Sequence, residues 1–121
     1  MADKEKIYKI IYEFVRALKN KEEVVLINEF NLSKNVMEEI FEVLGEYFPD
    51  GYENISIAPE DLAFTKNGRR MNIDIFQMID PERLGGECVL WNNERPDEPI
   101  LHFELKRNVD GFIFEYKYIG S

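Results

Sequence analysis

The sequence predicts an α+β fold, with two N-terminal helices packed on one face of a four- to five-stranded antiparallel meander. Up to about residue 48 the apolar residues recur with helical spacing, and beyond Gly51 they recur at every second position, which is typical of strands. Helices that come first and strands that come second are the order of α+β domains. The 121 residues match the length of one domain, so we expect a single domain over residues 1–121.

The first helix is predicted over residues 3–19, with Asp3 as the expected N-cap. Its apolar residues follow the spacing of an amphipathic helix: Ile7, Ile10, Ile11, Phe14, Val15 and Leu18. The next apolar run, Val24–Ile27, is too short for its spacing to decide between a short strand and a helical extension. Residues 21–32 therefore stay open at this point.

A second helix is predicted from Ser33, its expected N-cap, to about Phe48. Pro49 and Gly51 follow and end it. Its predicted inward face consists of five residues: Val36, Ile40, Val43, Leu44 and Tyr47. Each helix thus has one apolar side, and we expect these sides to cover the sheet.

The first two strands are predicted to form a hairpin around Asn67-Gly68, a strong signal for a two-residue turn. The flanking apolar runs are Leu62–Thr65 and Met71–Ile75. This turn sets two predicted cross-strand pairs: Phe64 with Met71 and Leu62 with Ile73. Both pairs lie on one face, which supports the predicted register.

Three further strands are predicted at Glu87–Trp91, Ile100–Lys106 and Phe112–Ile119. The polar segment Asn92–Glu98 is predicted as the loop between the first two of them, and Asp110-Gly111 as the turn before the third. That turn sets two further predicted pairs: Phe103 with Tyr118 and Leu105 with Tyr116. All four of these side chains then lie on one apolar face.

Alternation along the strands predicts two faces of different character. The predicted inner face is apolar and covered by the helices: Leu62, Phe64, Met71, Ile73, Ile75, Val89, Trp91, Leu101, Phe103, Leu105, Phe114, Tyr116 and Tyr118. The predicted outer face mixes carboxylates with apolar groups: Asn72, Asp74, Phe76, Cys88, Leu90, Ile100, His102, Glu104, Ile113, Glu115 and Lys117. An open sheet face in water is usually more uniformly polar, so the mixture favours a surface that binds a partner or a second copy.

The charge of the chain narrows the class of partner. Fifteen Lys and Arg residues against 24 Asp and Glu residues give a net charge of −9, and both halves of the chain are acidic. Such a surface repels nucleic-acid phosphates and anionic lipid, and it speeds encounter with a basic protein. We therefore expect a basic protein partner, and neither nucleic acid nor membrane.

The cysteine and histidine counts exclude other classes of protein. One Cys cannot form an internal disulfide, and one Cys with one His cannot form a Cys/His-rich zinc site. The longest strictly apolar run is four residues, far below the roughly 20 that span a bilayer. We expect a soluble, cytoplasmic protein without a cofactor.

Cys88 and His102 are the one candidate catalytic pair in the sequence. If the loop Asn92–Glu98 is symmetric, Cys88 and His102 become cross-strand neighbours, and Asp74 could orient the imidazole of a thiolate–histidine nucleophile. Neither a cleft nor oxyanion donors accompany the pair. A small apolar role for Cys88 is therefore the favoured interpretation, and no catalytic residue is assigned.

The acidic residues do not indicate a metal site. The four candidates are Asp74, Asp80, Glu82 and Glu87. They lack the short, fixed spacing and the bend glycine of calcium loops. Gly85-Gly86 likewise lacks the Gly-Lys-Ser/Thr of a phosphate loop. No metal ligand is assigned.

The size, the acidic charge and the order of helices and strands resemble the small cytoplasmic immunity proteins of bacterial contact-dependent and polymorphic toxin systems. Segments Asp74-Ile75, Gly85–Trp91 and Leu101–Leu105 also resemble small bacterial domains. The resemblance implies a mechanism without catalysis: an acidic surface docks on a basic toxin domain, often a nuclease, and blocks its active site or substrate groove.

On this interpretation the partner-binding residues lie on the outer face and in the polar loop: Asp74, Phe76, Glu94, Asp97, Glu98, Glu104 and Glu115. Two alternatives stay open. One is a helix-plus-curved-sheet domain resembling the nuclear-transport-factor-2-like group, which would hold a small ligand or act as a minor enzyme. The other is a homodimer that uses the outer sheet face.

Overall fold

Three helices form the N-terminal part of the fold, in a computed structural model that describes residues 3–121. Their bounds are Lys4–Lys19 for α1, Glu23–Asn28 for α2 and Lys34–Tyr47 for α3. The two predicted helices are confirmed. The open segment is a short helix, α2, whose one fully buried side chain is Leu26.

The two predicted N-caps differ in what their side chains do. The backbone N–H of Val36 donates to Ser33 Oγ over 3.2 Å, so Ser33 caps α3 as predicted. Asp3 occupies the N-cap position of α1, but its side chain makes no capping hydrogen bond. The buried face of α3 consists of Met37, Ile40 and Leu44. The predicted inward residues Val36, Val43 and Tyr47 are half-buried beside them.

Seven strands follow the helices. Their bounds are β1 Ile55–Ser56, β2 Lys66–Asn67, β3 Arg70–Met71, β4 Ile73–Gln77, β5 Arg83–Asn92, β6 Arg95–Asn108 and β7 Gly111–Gly120. Five of them form one antiparallel sheet in the order β1-β5-β6-β7, and β4 also pairs with β5. The predicted α+β class and an antiparallel sheet of about five strands are confirmed.

The first predicted hairpin has the wrong register. β2 and β3 form a separate two-stranded unit in which Lys66 pairs with Met71, so the turn is Gly68-Arg69 and not Asn67-Gly68. Gly68 has a φ of +68° at the first central position of the turn, where a type II′ turn requires glycine. The predicted pairs of Phe64 with Met71 and Leu62 with Ile73 do not form.

The predicted polar loop Asn92–Glu98 is mostly strand. β5 and β6 are joined by the two-residue turn Asn93-Glu94, whose φ angles of 52° and 64° are typical of a type I′ turn. Pro96 is tolerated in β6 because it lies opposite Trp91, one pair beyond the pair that closes the turn.

The alternation of β5 is opposite to the prediction. Cys88 pairs with the core residue Leu101 and is fully buried, and Leu90 is buried in the core as well. Val89 and Trp91, which were predicted to be core, lie outside the core cluster. In an apolar run of four residues on a central strand, alternation cannot decide which side faces the core, and a bulge between Val89 and Trp91 shifts the register further.

The β6–β7 hairpin is offset by two residues from the prediction. Its turn is Val109-Asp110, so Phe103 pairs with Tyr116 and Leu105 pairs with Phe114. A two-residue offset keeps side chains on the same face, so Phe114 and Tyr116 still face the core.

A bulge between His102 and Phe103 then moves Tyr118 to the opposite face, against the prediction. Tyr118 lies opposite His102 there, with 53% of its surface exposed.

Aromatic rings fill the space between α1 and the sheet. The ring of Phe14 lies 4.5 Å from that of Phe114 and 5.1 Å from that of Phe30, measured between centroids. Phe103 stacks on Phe114 at 5.1 Å. Burying each such side chain contributes about 1.5–3 kcal/mol to folding, so this cluster is a main contact between helix and sheet.

Candidate protein-docking surface

The candidate site is the sheet face opposite the core, which we call the outer face. It is formed by alternate residues of four strands: Asp74, Phe76, Arg83, Gly85, Glu87, Val89, Ile100, His102, Glu104, Ile113, Glu115, Lys117 and Tyr118. Eight of the residues predicted for this face are on it. Of the other three, Cys88 and Leu90 belong to the core, and Asn72 is buried and donates to the carbonyl oxygen of Leu62. Five members of the face were not predicted for it: Arg83, Gly85, Glu87, Val89 and Tyr118.

Two rows of side chains run across the four strands. In one row Asp74, Glu87, His102 and Tyr118 lie opposite one another in turn. In the next row the order is Phe76, Gly85, Glu104 and Glu115. Cross-strand neighbours have Cβ atoms about 4.5–5.5 Å apart, so four carboxylates share a small area.

The carboxylates of Glu104 and Glu115 are neutralised within the molecule. The guanidinium of Arg83 donates to Glu115 and, over 3.2 Å, to Glu104. Its Nε lies 3.7 Å from Asp80, and Lys117 Nζ lies 3.7 Å from Glu104. The hydrogen bond to Glu115 is the main reason why the pKa of Arg83 is raised. Repulsion between the two facing carboxylates is therefore offset here.

The other carboxylate pair has no such cation. Asp74 lies directly opposite Glu87, and within the described residues Asp74 makes no ion pair. Glu87 has only His102, whose Nδ1 lies 3.7 Å from its Oε2. Like charges directly opposite each other destabilise a sheet. A cation from a partner would relieve this repulsion.

Two exposed aromatic rings lie near this pair, Phe76 in the next row and Tyr118 beyond His102 in the same row. Phe76, with 44% of its surface exposed, covers Gly85 on the neighbouring strand. Tyr118 stacks on His102 with 4.0 Å between ring centroids and 11° between ring planes. His102 Nε2 is buried without a hydrogen-bond partner. Large, partly exposed rings beside unpaired charge are typical of protein-binding surfaces.

The seven predicted partner-binding residues fall into two groups. Asp74, Phe76, Glu104 and Glu115 lie together on the outer face. The other three, Glu94, Asp97 and Glu98, lie near the far end of the β5–β6 hairpin, about 20–30 Å along the strand from Glu104.

Asp97 is engaged in contacts within the chain. Its carbonyl oxygen accepts a 2.6 Å hydrogen bond from Arg70, and its carboxylate accepts the N–H of Glu98 over 2.7 Å. The three hairpin residues thus lie apart from the four on the outer face.

The thiolate–histidine pair does not form. Cys88 points into the core and pairs with Leu101, whereas His102 points to the outer face and pairs with Glu87. The thiol of Cys88 donates a weak hydrogen bond to the carbonyl oxygen of Val89, with 3.6 Å between Sγ and the oxygen. Burial raises the pKa of this thiol strongly. Cys88 is thus a core residue without nucleophilic character.

Neither a metal cluster nor a membrane-spanning helix is found in the part of the chain that the structure describes. Within residues 3–121, no three His, Cys, Asp or Glu side chains are arranged to hold a metal ion. Over the same residues, no helix has the length and apolar character needed to cross a bilayer.

Comparison with known proteins adds no relative: no protein family, no curated protein and no solved structure matches this chain.

Proposed function

We propose that this chain is a non-catalytic protein-binding module whose outer face docks on a basic protein. Its proposed mode of action is that of the small cytoplasmic immunity proteins, which inhibit bacterial toxin domains by binding to them. The observation that carries the proposal is the unneutralised pair of Asp74 and Glu87, with the exposed ring of Phe76 in the next row and that of Tyr118 beyond His102. A Lys or Arg side chain of the partner would insert between these carboxylates.

The charge and the rings would have different roles in binding. The net charge of −9 steers a basic partner toward the surface and speeds association. Phe76 and Tyr118 would act as apolar anchors, since interface energy is concentrated in a few well-packed side chains. Glu104 and Glu115 are already paired with Arg83, so we expect them to contribute less than Asp74.

The two alternatives are less well supported. A cone-shaped ligand-binding domain needs an enclosed cavity between helix and sheet. The rings of Phe14, Phe103 and Phe114 fill the interior there, and the open cavities lie at the β7 edge of the sheet. A homodimer through the outer face would bring two copies of the Asp74–Glu87 pair together, each copy carrying a net charge of −9. Sedimentation equilibrium distinguishes a dimer from a monomer.

The test uses the proteins encoded by the genes that flank this one. Each product is expressed with and without the chain, and binding is measured by isothermal titration calorimetry. We expect one product to be basic, and we expect the chain to bind it and to neutralise its effect on growth. Replacing Asp74 and Glu87 by Lys should weaken binding at least tenfold and slow association.

The matched control reverses two carboxylates elsewhere. Glu38 and Glu42 are exposed on α3, away from the outer face, and their replacement by Lys changes the net charge by the same amount. This variant should keep most of the affinity. Equal losses for the two variants would show that only the overall charge matters, and the absence of binding to every flanking product would contradict the proposal.

A further inference from the structure

β7 is an edge strand with unpaired backbone groups. Within residues 3–121 it pairs with β6 on one side and with no strand on the other. The backbone N–H of Arg107 donates to the carbonyl oxygen of Glu82, so it points toward β5 and away from β7. Arg107 and Phe112 are therefore a pair without mutual backbone hydrogen bonds, and the backbone groups of Phe112 point away from β6. Alternation then directs the backbone groups of Phe112, Phe114 and Tyr116 outward. Among the described residues, no backbone hydrogen bond outside the ladder involves them.

A groove runs along this free edge. Two open cavities, of about 540 and 420 Å³, share the lining residues Phe30, Asn31, Ile113 and Phe114 and therefore lie side by side along the strand. β7 forms one wall of the groove, and the connection between α2 and α3, residues 29–33, forms the other. Along β7 the groove follows residues 112–117, about 20 Å of strand. We call it the edge groove.

The two sides of the edge groove differ in chemistry. On the core side it is lined by apolar residues, among them Phe30, Val36 and Phe114. On the outer side it is lined by Glu104 and Glu115, together with Arg83 and Lys117. Successive side chains of a strand point to opposite faces. A strand in the groove would thus place every second residue against apolar groups and the others beside the carboxylates of Glu104 and Glu115, which share the cations Arg83 and Lys117.

We propose that the edge groove binds an extended segment of the basic partner as an additional strand of the sheet, a segment in which apolar and basic residues alternate. The inference rests on the proposed function, because the acidic charge of the chain selects the basic partner. Unpaired N–H and C=O groups of an edge strand would provide backbone hydrogen bonds, and the alternating lining would select the side chains. Because the connection between α2 and α3 forms a second wall beside the edge, the groove favours a single extended chain over the whole sheet of a second copy.

The geometry makes a specific prediction about which backbone amides of the ligand take part. Opposed residues of an antiparallel pair share a face, and the outward backbone groups of β7 belong to core-facing residues. The apolar residues of the bound segment must therefore make the backbone hydrogen bonds with β7. The basic residues direct their amides away from it.

The probe is the synthetic peptide acetyl-KVKVKVKVKV-amide, and the readout is amide hydrogen exchange followed by NMR. In the free protein, the amides of Phe112, Phe114 and Tyr116 should exchange faster than those of Ile113 and Glu115. A saturating amount of peptide should slow exchange at the first three at least tenfold. The same peptide N-methylated at every Val should bind at least tenfold more weakly, whereas N-methylation at every Lys after the first should leave binding unchanged.

A pair of protein variants tests the position of the site. Ile113 borders both cavities on the outer side, and Ile113→Lys should weaken binding of the peptide at least tenfold by repulsion. Val109 lies in the β6–β7 turn and is fully exposed outside both cavities. Val109→Lys makes the same change of charge and should have no effect.

Four outcomes would overturn the inference. Equal binding of the two N-methylated peptides would show attraction by charge alone, and peptide-induced changes confined to Asp74 and Phe76 would place the ligand on the outer face. Protection of the β7 amides that rises with protein concentration without peptide would identify a second copy as the occupant. Absence of peptide binding would also contradict it. None of these results decides the proposed function, which the flanking gene products test separately.

Discussion

Gly86 and Gly85 are adjacent glycines with aromatic rings over opposite faces of β5, and they provide a matched pair of substitutions. A Cβ atom at Gly86 would collide with the ring of Phe103, and one at Gly85 would collide with the ring of Phe76. Neither glycine has a positive φ, so alanine introduces no backbone strain at either position. The two rings differ in how freely they can move.

The size of each effect follows from the surroundings of the ring. Phe103 is 2% exposed and stacks on Phe114, so the ring cannot move without disturbing the core. Overpacking a core costs about 1–3 kcal/mol, and replacing a strand glycine by alanine returns about 0.5–1 kcal/mol of backbone entropy. We expect Gly86→Ala to lower the free energy of unfolding by about 1–2 kcal/mol. Phe76 can rotate into solvent, so Gly85→Ala should stay within about 0.5 kcal/mol of wild type.

Urea denaturation followed by circular dichroism measures both variants. For a domain of this size, about 1 kcal/mol corresponds to about 4 °C in Tm, so thermal unfolding of Gly86→Ala should show a decrease of about 4–8 °C. Combining Gly86→Ala with Phe103→Leu should cost less than the sum of the single substitutions, because the two positions share one contact. Equal destabilisation by Gly85→Ala and Gly86→Ala would refute the reasoning, as would a Gly86→Ala variant of wild-type stability.

Substitution and labelling at three further sites test separate contacts. Ser33→Ala removes the cap of α3 and should lower the free energy of unfolding by about 1 kcal/mol, measured by urea denaturation. Asp3 makes no capping hydrogen bond with its side chain, so Asp3→Ala should lower it clearly less. The reverse order would contradict the assignment of the caps. Cys88 should react with iodoacetamide only after the protein unfolds, and rapid labelling of the native protein would show that the thiol is accessible. Folding raises the pKa of Cys88, so the protonated thiol contributes to stability below the pKa of an unfolded thiol, about 8.5. This contribution is lost as the pH rises above that value. The Cys88→Ala variant should therefore lose less stability between pH 8 and pH 10 than wild type does. Arg83→Gln removes the guanidinium that lies between the facing carboxylates of Glu104 and Glu115. The variant should have a lower Tm at low salt, with a smaller decrease in 1 M NaCl. An effect independent of salt would exclude the electrostatic explanation.

The helices and the fold class could be predicted from the sequence because their signals are local. The apolar spacing of residues 7–18 and the capping hydroxyl of Ser33 act within a few turns of helix. The strands were predicted less completely: the predicted strand Leu62–Thr65 is a turn, β1 was not predicted, and the phase of β5 was wrong. Leu90 and Trp91 illustrate the reason: in a run that is apolar on both sides, only contacts with distant strands decide which residue faces the core.

The candidate site could be predicted only where a strand alternates clearly. Asp74 and Phe76 were placed correctly because β4 has a polar and an apolar side. Tyr118 was misplaced because a bulge one residue earlier is specified by no local pattern. Glu94 lies in the connection between β5 and β6 as predicted, but that connection is a two-residue turn and not a seven-residue loop.

The bulge at the end of β7 limits how this molecule associates with itself. The segment Gly111–Gly120 is rich in aromatic residues and balances one Glu with one Lys, a composition that favours fibril formation when an edge is long and flat. Near Lys117 the bulge bends the strand, so the flat part of the edge ends after about six residues. A chain that pairs with this edge must stop there. The bulge, which the sequence did not predict, thus leaves a flat edge that is long enough to pair with one short strand and too short to template a fibril.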